Sequence, residues 1–217
     1  MSSIQIKICG VTNAADGRAC AELRADMIGL NFYVESARYI KPEAARDIVQ
    51  AMPPNVQCVG VFVDETTPEI RRAAKAAGVS SVQLHGNVSP ESCQELARDF
   101  RVIRALCTNV RFQPANVSAF SDCDILLDAH HPTLHGGTGR LCDWSAARAT
   151  LPFARFLILS GGLNAQNVRR AIATVAPHAV DVCSGIESAP GVKDHGAIRD
   201  FIAAVRAAER SLHTTSA

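Results

Sequence analysis

The sequence predicts an α/β fold, a single-domain (β/α)8 TIM barrel with its active site at the C-terminal face. Three observations carry that prediction. Eight short runs rich in β-branched residues recur along the 217 residues. Segments of helical period fill the gaps between them. Glycine-rich turns follow the seventh and eighth runs, where barrels of this kind place a phosphate site.

The strand candidates are Ile4–Cys9, Asp26–Tyr33, Val56–Asp64, Val79–His85, Val102–Cys107, Cys123–Ala129, Arg155–Ser160 and Ala179–Cys183. Between the first two, Asn13–Arg24 fits a helix. Ala45, Ile48, Val49 and Met52 then share one helical face behind Pro42. Ile70, Ala73, Ala74 and Ala77 repeat that spacing, with Pro68 in the first turn and Gly78 as the stop. Ser89–Arg98, Pro114–Phe120 and Asp143–Thr150 fit weaker helices. Val168, Ala171, Ile172 and Val175 follow Asn164 as the expected N-cap. Ile198, Phe201, Ile202 and Val205 close the series behind Asp194. An open doubly wound sheet uses the same alternation and is the alternative, though it typically has fewer strands. One barrel domain is expected over residues 1–210, with a frayed tail at 211–217.

Composition narrows the partners. The chain carries 22 Lys+Arg against 21 Asp+Glu, a net +1, so it lacks the basic excess of a nucleic-acid binder. With 47% hydrophobic and 20% charged residues it has ordinary globular composition, and with only 5% aromatics its core must be aliphatic. The longest strongly apolar run, Cys58–Val63, is far below the roughly 20 residues of a membrane span. Met1–Gln5 has neither the basic start nor the apolar stretch of a signal peptide. The eight cysteines form no C-x-x-C pair. They are expected as free thiols in a reducing cytoplasm.

Strand parity sorts the side chains. Ile4, Ile6 and Ile8 should face the helices, turning Gln5, Lys7 and Cys9 into the barrel. Likewise Asp124, Leu126 and Asp128 face in, as do Ser81, Gln83 and His85. Cys9, His85 and Asp128 are the last inward residues of their strands, so three chemically capable groups converge at the mouth. Cys9 reads as a structural thiol or as a general base with a depressed pKa. Asp128 reads as a catalytic acid or as the partner of an interior cation, Lys7 or Arg104. Asp124 and Asp181 lie deeper and read as members of ion networks.

Ser160-Gly161-Gly162-Leu163-Asn164 and Cys183-Ser184-Gly185-Ile186-Glu187 follow strands seven and eight. Their glycines let backbone N–H groups approach an anion, so Gly161, Gly162, Ser184 and Gly185 are expected to cradle a phosphate. Arg38, in the loop after strand two, reads as a solvated arginine or as a fork for a substrate carboxylate. His130, His131 and His135 have a metal-like density, but no helix presents them, and a solvated loop is the preferred reading. No metal is assigned. Gly136-Gly137-Thr138-Gly139 follows directly and suits a mobile cover.

These segments together resemble the phosphoribosylanthranilate isomerase family. The resemblance runs from Lys7 to about Phe201 and is carried by Lys7-Ile8-Cys9-Gly10-Val11-Thr12, Gly29-Leu30-Asn31-Phe32-Tyr33 and Ser36-Ala37-Arg38-Tyr39. Val59–Val63, Val82-Gln83-Leu84-His85-Gly86, Leu127-Asp128-Ala129, both glycine-rich turns and Pro190–Asp194 continue it. Two positions depart from the family pattern. Ala37 stands where Pro is usual, which loosens the backbone before Arg38. Cys183 stands where a Ser or similar small residue is usual.

The resemblance implies an Amadori rearrangement in tryptophan biosynthesis, with Asp128 as general acid and Cys9 as general base. Arg38 and His85 would bind the substrate. It implies a small phosphosugar as the only ligand, no cofactor, and a monomer or homodimer. Rival barrels are less well matched. A histidine-pathway aminoaldose isomerase typically has Asp in place of Cys9, and indole-glycerol-phosphate synthase needs a lysine acid and extra N-terminal residues. A catalytically dead barrel that only binds phosphosugars is the non-enzymatic alternative, and intact Cys9 and Asp128 argue against it.

Overall fold

The computed structural model describes residues 3–109, 111–129 and 142–214. Eight parallel strands close into a barrel in chain order, β1 pairing with both β2 and β8. They are β1 (Gln5–Cys9), β2 (Met27–Asn31), β3 (Gln57–Val63), β4 (Ser81–His85), β5 (Arg101–Thr108), β6 (Asp124–Ala129), β7 (Leu157–Leu159) and β8 (Ala179–Val182). Closure excludes the open doubly wound sheet. The helices are α1 (Ala14–Glu22), α2 (Pro42–Gln50), α3 (Thr67–Ala77), α4 (Pro90–Leu96), α5 (Trp144–Thr150), α6 (Val168–Val175) and α7 (His195–Thr214). No helix among the described residues is long and apolar enough to cross a membrane.

Local chemistry sets the helix ends. Thr66 and Glu69 form a reciprocal capping box on α3, and Gly78 ends that helix at φ +77°. Asp194 Oδ1 accepts from the N–H groups of Gly196 (2.8 Å) and Ala197 (3.0 Å) at the start of α7.

Two features differ from the sequence expectation. Pro114–Phe120 is a 3₁₀ helix, because Asn116, Val117 and Ser118 are weak α-helix formers and the segment is only seven residues long. The cap of α6 is Asn167 rather than Asn164. Asn164 Oδ1 instead accepts from Gln166 N (3.0 Å) and Asn167 N (3.1 Å), holding a turn just upstream. Helix α7 runs to Thr214, and Leu212 packs against the core.

Two apolar layers result. Ile6 and Ile8, together with Val82, Leu84, Ile125 and Leu127, lie between strands and helices, each at most 1% exposed. Full burial of such a side chain contributes about 1.5–3 kcal/mol. Inside the barrel, Met27, Val59, Ile103, Ala105, Leu126, Ile158 and Ala179 form a second, smaller cluster. Below it Asp124 is bound by Arg101 (2.5 Å) and Arg155 (3.2 Å). Above it the interior turns polar, which is where the chemistry collects.

Candidate active site

A cavity opens at the C-terminal rim, lined by Cys9, Arg38, His85, Asp128, Asp181 and Cys183 among others. Each of the strand-borne groups arrives by parity from a different strand or strand end. Lys7 lies directly beneath, completely buried, with Nζ 2.8 Å from Asp181 Oδ1. The second Asp181 oxygen accepts from Ser160 Oγ at 3.0 Å. Burial alone would depress the Lys7 pKa, but the Asp181 carboxylate and the Cys9 thiolate outweigh it and raise it. Lys7 is therefore a fixed cation under the site.

The Cys9 thiol is pulled below its ordinary value by a hydrogen bond from Cys183, with burial opposing and the Lys7 charge assisting. Asp128 moves the other way. Burial pushes its carboxyl up to about 7, against the hydrogen bond that its Oδ1 accepts from Ala129 N. Lys7 pairs with Asp181, and Arg104 spends its guanidinium on the carbonyls of Leu84, Ala105 and Gly86. Neither is the cation partner that the sequence offered for Asp128. The site thus holds an acid whose pKa is raised and a thiol whose pKa is lowered, the pairing that general acid–base chemistry needs near neutrality.

Gly29 makes room for this arrangement. It faces Cys9 across the β1–β2 register. A Cβ there would stand 2.7 Å from Cys9 Sγ and 3.2 Å from Lys7 Nζ. Gly29→Ala is therefore expected to displace the thiol, lowering kcat at least tenfold, about 1.4 kcal/mol of barrier. Steady-state kinetics and a thermal melt check it: unchanged kcat in a folded protein would show that the thiol position is not critical.

Arg38 reaches the cavity over Gly10, which adopts φ +74° and whose Cβ would stand 2.8 Å from Arg38 Cδ. Its Nε and Nη2 are held by Glu187, at 3.0 Å to Oε1 and 2.7 Å to Oε2. Lys193 Nζ also binds Glu187 Oε1 (2.7 Å) and donates to the Cys9 carbonyl (2.6 Å). Glu187 and Lys193 belong to an antiparallel pair, β9 (Glu187–Ala189) and β10 (Val192–Lys193). Sequence reasoning gave these two residues no role; the Pro190-Gly191 turn signal between them was the available clue. The arginine fork is thus partly filled from within the protein, an arrangement that positions it.

His85 sits at the mouth with its Nε2 2.7 Å from the Gln83 amide nitrogen. The two glycine-rich turns pack on each other beside the cavity. Gly161 (φ +87°) and Gly162 (φ +62°) are both left-handed, and a Cβ on Gly185 would stand 2.1 Å from Leu163 O. Only glycine permits that approach. Ser184 opens the short 3₁₀ turn after β8, Ser184–Ile186. Thus Cys9, Arg38, His85 and Asp128 share one cavity, whereas Gly161, Gly162, Ser184 and Gly185 are outside its lining and follow the lining residues Ser160 and Cys183 in the chain. His130, His131, His135 and Gly136–Gly139 lie outside the described residues.

Comparison with known proteins agrees with this geometry. The family model for N-(5'phosphoribosyl)anthranilate (PRA) isomerase matches residues 6–204. The N-(5'-phosphoribosyl)anthranilate isomerase of Thermotoga neapolitana is 42% identical over 199 residues, covering 92% of this chain and 97% of the relative. Among solved structures, monomers of the dimeric Thermotoga maritima isomerase are 39% identical with a TM-score of 0.85, covering 94% of this chain and 99% of that one. A phosphoribosyl anthranilate isomerase in complex with reduced 1-(o-carboxyphenylamino)-1-deoxyribulose 5-phosphate is 40% identical, with a TM-score of 0.84 and the same coverage. A barrel of this strand order, with a lowered thiol and a raised carboxyl at its rim and with this extent of likeness, belongs to the N-(5'-phosphoribosyl)anthranilate isomerase family.

Proposed function

We propose that the chain converts N-(5-phosphoribosyl)anthranilate into 1-(2-carboxyphenylamino)-1-deoxyribulose 5-phosphate, the Amadori step of tryptophan biosynthesis. The observation that carries the mechanism is the opposed tuning of Asp128 and Cys9 in one cavity. Protonated Asp128 gives its proton to the furanose ring oxygen, and the C1–O bond breaks to leave a Schiff base to the anthranilate nitrogen. The Cys9 thiolate then takes the C2 proton, and the electron pair moves to nitrogen to form an enolamine. Tautomerisation gives the ketose. Protons move and no net redox change occurs, so the step requires no cofactor.

The remaining residues bind. Gly161, Gly162, Ser184 and Gly185 receive the phosphate on backbone N–H groups, an assignment supported by the two left-handed glycines and the close loop packing. Arg38, steadied by Glu187, directs its positive charge at the anthranilate carboxylate, and His85 flanks the sugar. A reducing cytoplasm, where thiols stay free, is the compartment that this reading assigns. A monomer or homodimer fits this chemistry equally, and sedimentation distinguishes them.

Complementation of a tryptophan auxotroph lacking this isomerase tests the reading. The wild-type gene is expected to restore growth and Cys9→Ala is not. Failure of a well-expressed wild-type protein to restore growth would overturn it. For Arg38, loss of one charged hydrogen bond is worth about 1.5–3 kcal/mol. Arg38→Met is therefore expected to raise KM by about 10–150-fold, with a smaller change in kcat. An unaltered kcat/KM would make Arg38 a purely structural partner of Glu187.

A further inference from the structure

The strand register brings a second thiol to the first. β1 and β8 pair with Lys7 opposite Asp181 and Ile8 opposite Val182. Cys9 ends β1 and Cys183 directly follows β8, each one residue beyond the last paired rung toward the rim. Neighbouring strands lie about 4.8 Å apart, within the roughly 4.4–6.8 Å Cα separation that a disulfide spans. Both residues line the same cavity, close enough that each thiol shifts the pKa of the other. Cys183 Sγ also stands 3.1 Å from the point where a Cβ on Gly10, the neighbour of Cys9, would be.

We propose that Cys9 and Cys183 form a peroxide-oxidisable dithiol, which closes to a reversible disulfide within the active site. The modifying reagent is hydrogen peroxide. The Cys9 thiolate attacks one peroxide oxygen: an S–O bond forms, the O–O bond breaks, and hydroxide leaves to take a proton from solvent. Cys9 is then a sulfenic acid. The Cys183 sulfur attacks the sulfenic sulfur, forming S–S and breaking S–O, and the thiol proton departs with the hydroxyl as water. Two electrons have passed from the two sulfurs to the peroxide. Dithiothreitol reverses the step by thiol–disulfide exchange.

Position favours this pair over the other cysteines. Lys7 supplies a fixed positive charge beside Cys9, and the cavity admits a small oxidant. Cys20, Cys58, Cys93, Cys123 and Cys142 are buried, and these five and the half-buried Cys107 are outside the cavity lining. Loss of activity on oxidation rests on the reading of Cys9 as the base. The disulfide itself does not.

The purified protein is treated with hydrogen peroxide, digested without reduction and mapped by mass spectrometry, with turnover measured before and after dithiothreitol. The expected result is a Cys9–Cys183 cross-linked peptide, loss of nearly all turnover, and recovery on reduction. In Cys183→Ser, compared with its own untreated activity, Cys9 should gain oxygen atoms in place of the cross-link, and excess peroxide should inactivate irreversibly. Wild-type protein in which Cys9 gains oxygen without bonding to Cys183, or in which Cys93–Cys123 is the disulfide that forms, overturns the dithiol and leaves the isomerase reading intact. A Cys9–Cys183 disulfide with turnover retained supports the dithiol and overturns Cys9 as the base.

Discussion

Asp128→Asn is expected to lower kcat by about 10²–10⁴-fold, the usual contribution of a general acid, while making the folded protein more stable at alkaline pH. Both effects come from the burial that holds the carboxyl near pKa 7. In the unfolded chain its pKa is about 3.9. Between those values the native state keeps a proton that the unfolded state releases. The stability that this proton contributes is fully present below the unfolded value and is lost as pH rises through about 7. At higher pH the wild type carries a buried carboxylate, a cost on the order of a few kcal/mol that the neutral amide avoids. The wild-type kcat/KM should likewise decline above about pH 7 as the acid form disappears. Melting curves of both proteins at pH 5 and pH 8 provide the check. The advantage of Asp128→Asn should be larger at pH 8. An equal difference at both pH values, or near-wild-type kcat, would remove Asp128 from the acid role.

Cys9→Ser, a change of one atom, is expected to cost a similar factor of about 10²–10⁴ in kcat. The serine hydroxyl stays protonated near neutrality, whereas a thiol of reference pKa about 8.5 can be drawn into the thiolate range by neighbouring cations and donors. KM should change little, because the loops that hold Gly161, Gly162, Ser184 and Gly185 are untouched. Lys7 keeps its Asp181 partner at 2.8 Å, so the fold should persist. The measurement is steady-state kinetics alongside a thermal melt. A fully active variant would pass the base role to another group in the cavity, with His85 the first candidate.

The positions of these two residues were legible in the sequence because parity in a strand is a local property. The alternation Ile4, Ile6, Ile8 against Gln5, Lys7, Cys9 fixes which set meets the helices, and the barrel then assembles the inward set at one rim. The same argument placed His85 and Asp128. The resemblance named the reaction, which parity could not do. Local signals were weaker where propensity was marginal: Pro114–Phe120 became a 3₁₀ helix, and the α6 cap shifted to Asn167. Glu187 and Lys193 went unassigned because their importance lies in what they touch. They meet Arg38 and the Cys9 carbonyl from positions distant in the chain.

By itself, the sequence determined the eight-strand alternation, the inward placement of Cys9, His85 and Asp128, and the glycine-rich turns after the last two strands. Periodicity and turn chemistry are encoded within a few residues of each position, so they survive without the fold. The tertiary structure decided the pairings and the protonation states. Lys7 could have served Asp128, Cys9 or Asp181; the β1–β8 register gives it to Asp181. Arg38 could have been solvated; the β9–β10 turn puts Glu187 against its guanidinium. The raised carboxyl of Asp128 and the lowered thiol of Cys9 depend on burial and on charges from β8 and the loop beyond it. Those interactions act through space between distant segments, and only closure of the barrel brings the segments together.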